Sequence, residues 1–126
     1  MKIEYPITFL YYRDLEEVIP FYRDVLGLSL HTDQGWAKIF QVGEAACVGL
    51  VDETRGSMNV TEEKGVLFTL VVDDVDAWYR YMQDEGVKIV REPRFSDELG
   101  VYCFFAEDPG GYRLEIQRFM DAPPSG

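Results

Sequence analysis

Three polar side chains spaced two apart, Arg113, Glu115 and Gln117, alternate with the apolar Tyr112, Leu114 and Ile116. In an extended strand that spacing turns the polar three to one face and the apolar three to the other. The segment therefore offers a carboxylate flanked by a cation and an amide. Glu115 has two readings: it binds a cation or acts as a general base, given a burial-raised pKa, or it is held in an ion pair with Arg113 or Lys38. Chemistry-bearing residues are otherwise sparse. His31 is the sole histidine and stands beside a turn, where a surface position is expected. Cys47 and Cys103 form no CxxC pattern and lie in apolar runs, where a free cysteine packs as a small hydrophobe. Neither a zinc site nor a nucleophilic thiol is expected from them.

The elements that must position these residues repeat along the chain. Thr8 to Leu15 reads TFLYYRDL and Phe68 to Val75 reads FTLVVDDV, each an apolar run ending in an acidic residue. Asp14 and Asp74 take matching places as helix N-caps, and Asp14 with Glu17 fits a capping box. Leu15, Val18, Ile19, Tyr22, Val25 and Leu26 recur at helical spacing until Gly27; Val75, Trp78, Tyr79 and Met82 do so until Gly86. Pro20 has no N–H to continue the first helix, which predicts a short first turn and a restart or kink there. Strands are expected at about 28–33, 36–42 and 45–52 after the first helix, and at 87–92, 101–106 and 112–119 after the second. Gly43-Glu44 suits a two-residue hairpin, and Asp108-Pro109-Gly110-Gly111 a tight turn. The pattern is α+β: two tandem βαβββ modules, 1–53 and 65–119, joined by a polar linker, 54–64, and followed by a tail, 120–126.

Composition narrows the function classes. Twelve Lys and Arg against 23 Asp and Glu give a net charge of −11, which repels nucleic acid and anionic membranes and mildly favours a cationic ligand. The sequence has no transmembrane-length apolar run and no signal-peptide pattern at its start, so a cytoplasmic protein is expected.

RDLEEVIPFYRDVLGL, VVDDVDAWYRYMQDEGV and EDPGGYRLEIQ, in that order, resemble the strand-to-helix segments and last hairpin of the vicinal-oxygen-chelate superfamily of glyoxalases, bleomycin-resistance proteins and extradiol dioxygenases. The resemblance spans almost the whole chain. It implies a curved, bowl-like mixed sheet with helices outside and a site on the inner face. Strand alternation assigns to that face Ile7, Phe9 and Tyr11; Trp36, Lys38 and Phe40; Cys47, Gly49 and Val51; Leu67, Thr69 and Val71; Val101, Cys103 and Phe105; and Arg113, Glu115 and Gln117. Aromatic walls with a few polar groups are the usual make-up of a small-molecule site.

Enzymes of that superfamily hold a divalent metal with inward His, Gln or Glu side chains. The matching positions here are Ile7, Gly49, Leu67 and Glu115, and three of them offer no lone pair. One carboxylate does not make a catalytic metal site, so no cofactor is expected. The resemblance then favours the metal-free branch: a homodimeric protein that binds or sequesters a small, cationic or aromatic molecule through Phe9, Tyr11, Trp36, Lys38, Phe40, Thr69, Phe105, Arg113, Glu115 and Gln117. The alternatives are a glyoxalase-like lyase, isomerase or dioxygenase relying on Glu115, and an accessory domain with a filled bowl.

Overall fold

The computed structural model describes residues 1–125; Gly126, the last residue of the expected tail, lies outside them. The first module runs β1 (Ile7–Tyr12), α1 (Leu15–Pro20), β2 (Ser29–Asp33), β3 (Ala37–Val42) and β4 (Ala46–Asp52). The second runs β5 (Leu67–Val71), α2 (Val75–Asp84), β6 (Lys88–Ser96), β7 (Val101–Glu107) and β8 (Arg113–Phe119). Each folds into a four-stranded mixed sheet, ordered β1-β4-β3-β2 in one and β5-β8-β7-β6 in the other. The division between the two compact units falls between Glu62 and Glu63, inside the segment read as a linker. Among the described residues no helix is long and apolar enough to cross a membrane.

Local chemistry accounts for the helices. Asp14 Oδ1 accepts the Glu17 N–H at 3.3 Å, and Asp74 Oδ1 accepts that of Ala77 at 3.0 Å, satisfying N–H groups the first turn leaves unpaired. At Pro20 the α-helix ends and the chain continues as a π-turn over Phe21–Val25, closed by Leu26 N–H to Phe21 C=O at 2.9 Å. The wider turn is how the chain accommodates a proline that cannot donate. At the β3–β4 hairpin Val42 pairs with Ala46, so the loop holds three residues instead of the two expected, with Gly43 supplying the positive φ of 63°.

Each sheet buries one face under its helix. In the first module Leu10, Tyr12, Val48 and Leu50 are at most 2 % exposed, beside Val18 and Tyr22 from the helical segment. In the second, Phe104, Leu114, Ile116 and Met82 are fully buried. The other faces are mixed: Phe9 is 44 % exposed and Val71 61 %, whereas Val51 and Cys103 are at most 7 % exposed.

A hydrogen bond ties α2 to its sheet: the Tyr102 hydroxyl of β7 donates to Asp76 Oδ1 at 2.6 Å. Burial, then the hydrogen bond to Asp76 and its charge, push the phenol up to about 12 from an ordinary 10.0. A folded value above the unfolded one means the phenol's contribution is intact below about pH 10 and is lost as pH rises from 10 towards 12. Tyr102→Phe should therefore fall less steeply than wild type in melting temperature between pH 10 and 12. Parallel alkaline limbs would contradict this assignment.

Candidate functional site

In the first module the parallel register pairs Phe9 with Gly49 and Tyr11 with Val51. Paired residues share a face, so these four look away from the helix. The Phe9 ring lies directly on Gly49: a Cβ there would fall 2.3 Å from Phe9 Cδ1 and 2.5 Å from Cε1. A glycine in a central strand that admits an aromatic ring from its neighbour is a packed pair, not a vacancy. Phe9, Tyr11 and Trp36 line a cavity of about 430 Å³, joined by Gln34, Arg55 and Ser57. The loop after β4 forms one side of it. Asp52 Oδ1 accepts both the Thr54 N–H (2.9 Å) and hydroxyl (2.7 Å), and these bonds, hydroxyl first, hold its carboxyl below the usual range. Ser57 then donates its N–H to the Tyr11 hydroxyl at 3.4 Å.

Two expected members of this face lie elsewhere. The β3–β4 register pairs Ile39 with Gly49 and Phe40 with Val48, so Ile39 shares the Phe9 face and Phe40 lies on the helix side, 1 % exposed. Lys38 is on that side too and ion-pairs with Asp33 at 2.7 Å. Trp36 lies just before β3, its carbonyl accepting the Asp52 N–H at 2.9 Å. Its ring reaches the cavity although the parity of β3 would turn it away.

In the second module the expected assignment of Thr69, Phe105, Arg113, Glu115 and Gln117 to one face matches the register. Thr69 and Phe105 both pair with Glu115, Cys103 pairs with Gln117, and Leu67 and Glu107 pair with Arg113. Glu115 Oε1 accepts the Thr69 hydroxyl at 2.9 Å. Among the described residues it makes no ion pair with Arg113 or Lys38. Phe105, Glu115 and Gln117 line a cavity of about 410 Å³ with Arg91, Arg94 and Phe119; Arg113, at the far end of β8, does not border it.

Arg91 and Arg94 were not singled out in the sequence. β6 was expected to stop near residue 92 but runs to Ser96, with register shifts between Ile89 and Arg91 and between Arg91 and Arg94. The Arg91 guanidinium lies over the Phe105 ring, 4.5 Å from its centroid. Its Nη2 donates to the Cys103 carbonyl at 3.4 Å and reaches Sγ at 3.2 Å. Burial raises the Cys103 thiol, and a hydrogen bond to Glu115 and its charge raise it further; the opposing effect of Arg91 is smaller. The neutral thiol is thus the resting form. His31 is exposed, stacks near Tyr5 and contacts Thr32 Oγ1 at 2.7 Å.

Comparison with known proteins fits this architecture. The Glyoxalase/Bleomycin resistance protein/Dioxygenase superfamily profile matches residues 5–116. The chain belongs to that superfamily. It is 29% identical over 116 residues to a probable lactoylglutathione lyase of Synechocystis sp., covering 82% of this chain and 86% of that one. It is 25% identical over 117 residues to the Bacillus subtilis protein YraH, covering 85% and 91%. Among solved structures, a glyoxalase/bleomycin resistance protein/dioxygenase from Nocardioides superposes with a TM-score of 0.78 at 20% identity, covering 100% of this chain and 89% of that one. The Agrobacterium tumefaciens lactoylglutathione lyase gives 0.70 at 25% identity, covering 89% and 90%.

A divalent metal is the cofactor this superfamily implies, and the residues present do not fit one. At the four positions the resemblance assigns to ligands, Ile7, Gly49 and Leu67 bring no lone pair, and the space beside Gly49 holds the Phe9 ring. Glu115 stands alone among them, and the Cys103 thiol beside it is in contact with the Arg91 guanidinium, a fixed cation that repels a second one. Among the described residues no group of three or more His, Cys, Asp and Glu side chains is placed to hold a metal ion.

Proposed function

We propose that this superfamily member binds a small, largely apolar molecule on the open faces of its sheets without a metal. The observation that carries the reading is the Phe9 ring packed on Gly49: where a ligand side chain would project, an aromatic wall stands instead. Cavities of about 430 and 410 Å³ with aromatic and polar lining suit a small ligand. The net charge of −11 suggested a cationic ligand. The charged side chains lining the cavities are Arg55 in one and Arg91, Arg94 and Glu115 in the other, so local attraction favours an anion. Exposed Ile7, Leu67, Val71 and Phe119 support a homodimer that covers part of this apolar surface.

A thermal-shift screen of small aromatic compounds in excess chelator tests the reading, since a ligand specific for the native state raises the melting temperature. Hits that persist in chelator, from a species of twice the 14.5 kDa chain mass by light scattering, are expected. Hits that appear only after a divalent metal is restored would refute it. The enzymatic alternative is favoured by the resemblance to the Synechocystis protein and by Glu115 bordering a cavity; turnover abolished by Glu115→Gln would establish it.

A further inference from the structure

The bulges of β6 have a consequence for the second cavity. Residues three apart on a regular strand point to opposite faces, yet Arg91 pairs with Phe105 and Arg94 with Cys103, which share one face. The irregularity between them turns the second guanidinium onto the cavity side, and bulges beside sites commonly re-aim a side chain in this way. In a chain of net charge −11, two arginines thus border one small cavity whose acidic member, Glu115, already accepts from Thr69.

Both flanks of Cys103 carry an unmet hydrogen bond. Arg91 Nε is a buried donor with no acceptor and Gln117 Oε1 a buried acceptor with no donor, among the described residues. Both side chains line the same cavity, and buried polar groups of native proteins are nearly always satisfied by protein, water or ligand. The Arg91 guanidinium is held in place by Phe105 and Cys103, so it is preorganised. The complementary molecule accepts from a guanidinium, donates to an amide oxygen and covers Phe105, Leu99 and Phe119 with apolar surface.

Building on the proposed binding role, we infer that the second-module cavity is a subsite for an apolar carboxylate that carries an N–H or hydroxyl next to its acid group. The carboxylate faces Arg91 and Arg94, whose planar forks match such a group; the adjacent donor meets Gln117 Oε1 once that buried amide turns into the cavity. A dianionic phosphate presents similar oxygens but brings more negative charge into the cavity that Glu115 lines.

Titration calorimetry of the full chain with four probes tests this: hippurate (carboxylate with adjacent N–H), 4-phenylbutyrate (carboxylate alone), phenethylammonium and phenyl phosphate. Hippurate should bind about tenfold more tightly than 4-phenylbutyrate, the usual scale of one buried hydrogen bond, with phenyl phosphate weaker and phenethylammonium silent. Arg94 is exposed, so Arg94→Ala should keep the wild-type melting temperature while weakening hippurate about tenfold. Gln117→Met should bring hippurate and 4-phenylbutyrate to equal affinity. Phenethylammonium binding as well as hippurate, or both variants leaving hippurate unchanged, would overturn the inference; phenyl phosphate binding more tightly would overturn the carboxylate assignment. If uncharged aromatics bind and hippurate does not, the subsite fails while the binding role stands. If neither these probes nor the aromatic screen gives a hit, both fail together.

Discussion

Asp108→Ala should destabilise the protein by about 2–4 kcal/mol, the largest loss expected from any single polar substitution outside the cavities. Asp108 is 3 % exposed and its Oδ1 accepts two backbone N–H groups, from Gly110 and Tyr112, each at 2.9 Å. Its own N–H bonds the Tyr112 carbonyl at 2.9 Å, so one side chain organises the whole β7–β8 turn. Removing the carboxylate strands both donors, and for a chain of this size the loss corresponds to roughly 10 °C in melting temperature. Asp108→Asn keeps one acceptor oxygen and should lose less. The turn also sets the register that places Glu115 opposite Phe105 and Gln117 opposite Cys103, so Asp108→Ala should weaken ligand binding at that cavity as well. A denaturant melt of Asp108→Ala within about 0.5 kcal/mol of wild type, the range of a neutral surface change, would show that the turn forms without it.

The second large effect is expected at Gly49. Gly49→Ala places a Cβ 2.3 Å from Phe9 Cδ1, far inside contact distance, and overpacking of this kind costs about 1–3 kcal/mol. Phe9 is partly exposed, so its ring has room to swing away, which opens the floor of the first-module cavity. The cost therefore belongs to the pair. In a Phe9→Ala background, Gly49→Ala should cost close to nothing, and the coupling energy of the double-mutant cycle should equal nearly the whole single-mutant loss. Additive losses would show that position 49 is constrained by something other than the Phe9 ring.

How far the sequence carried this picture depends on where its periodicities were unbroken. The duplication, the two aspartate caps, the interruption at Pro20 and the Asp108 turn are local chemistry, and each appears in the structure where it was expected. The face of β8 was legible because Arg113 to Gln117 alternate without a break. The expected face of β3 is reversed at Lys38 and Phe40, because Trp36 lines the cavity from just outside the strand while the strand itself takes the opposite parity. Arg91 and Arg94 went unseen because two bulges suspend the period-two rule in β6, with Pro93 standing between the two arginines. Gly49 was visible as a missing ligand position, but the reason for its being glycine lies in the ring of Phe9, forty residues earlier, which only the parallel β1–β4 pairing brings together.

The most direct test of a metal-independent binding face is the metal content of the protein after exposure to Ni²⁺, Zn²⁺, Mn²⁺ or Fe²⁺ and desalting, read by elemental analysis alongside the melting temperature. Content well below stoichiometric, with a melting temperature unmoved by metal or chelator, is the expected result. One tightly held ion per chain or per pair of chains, lost on Glu115→Ala, would contradict the account.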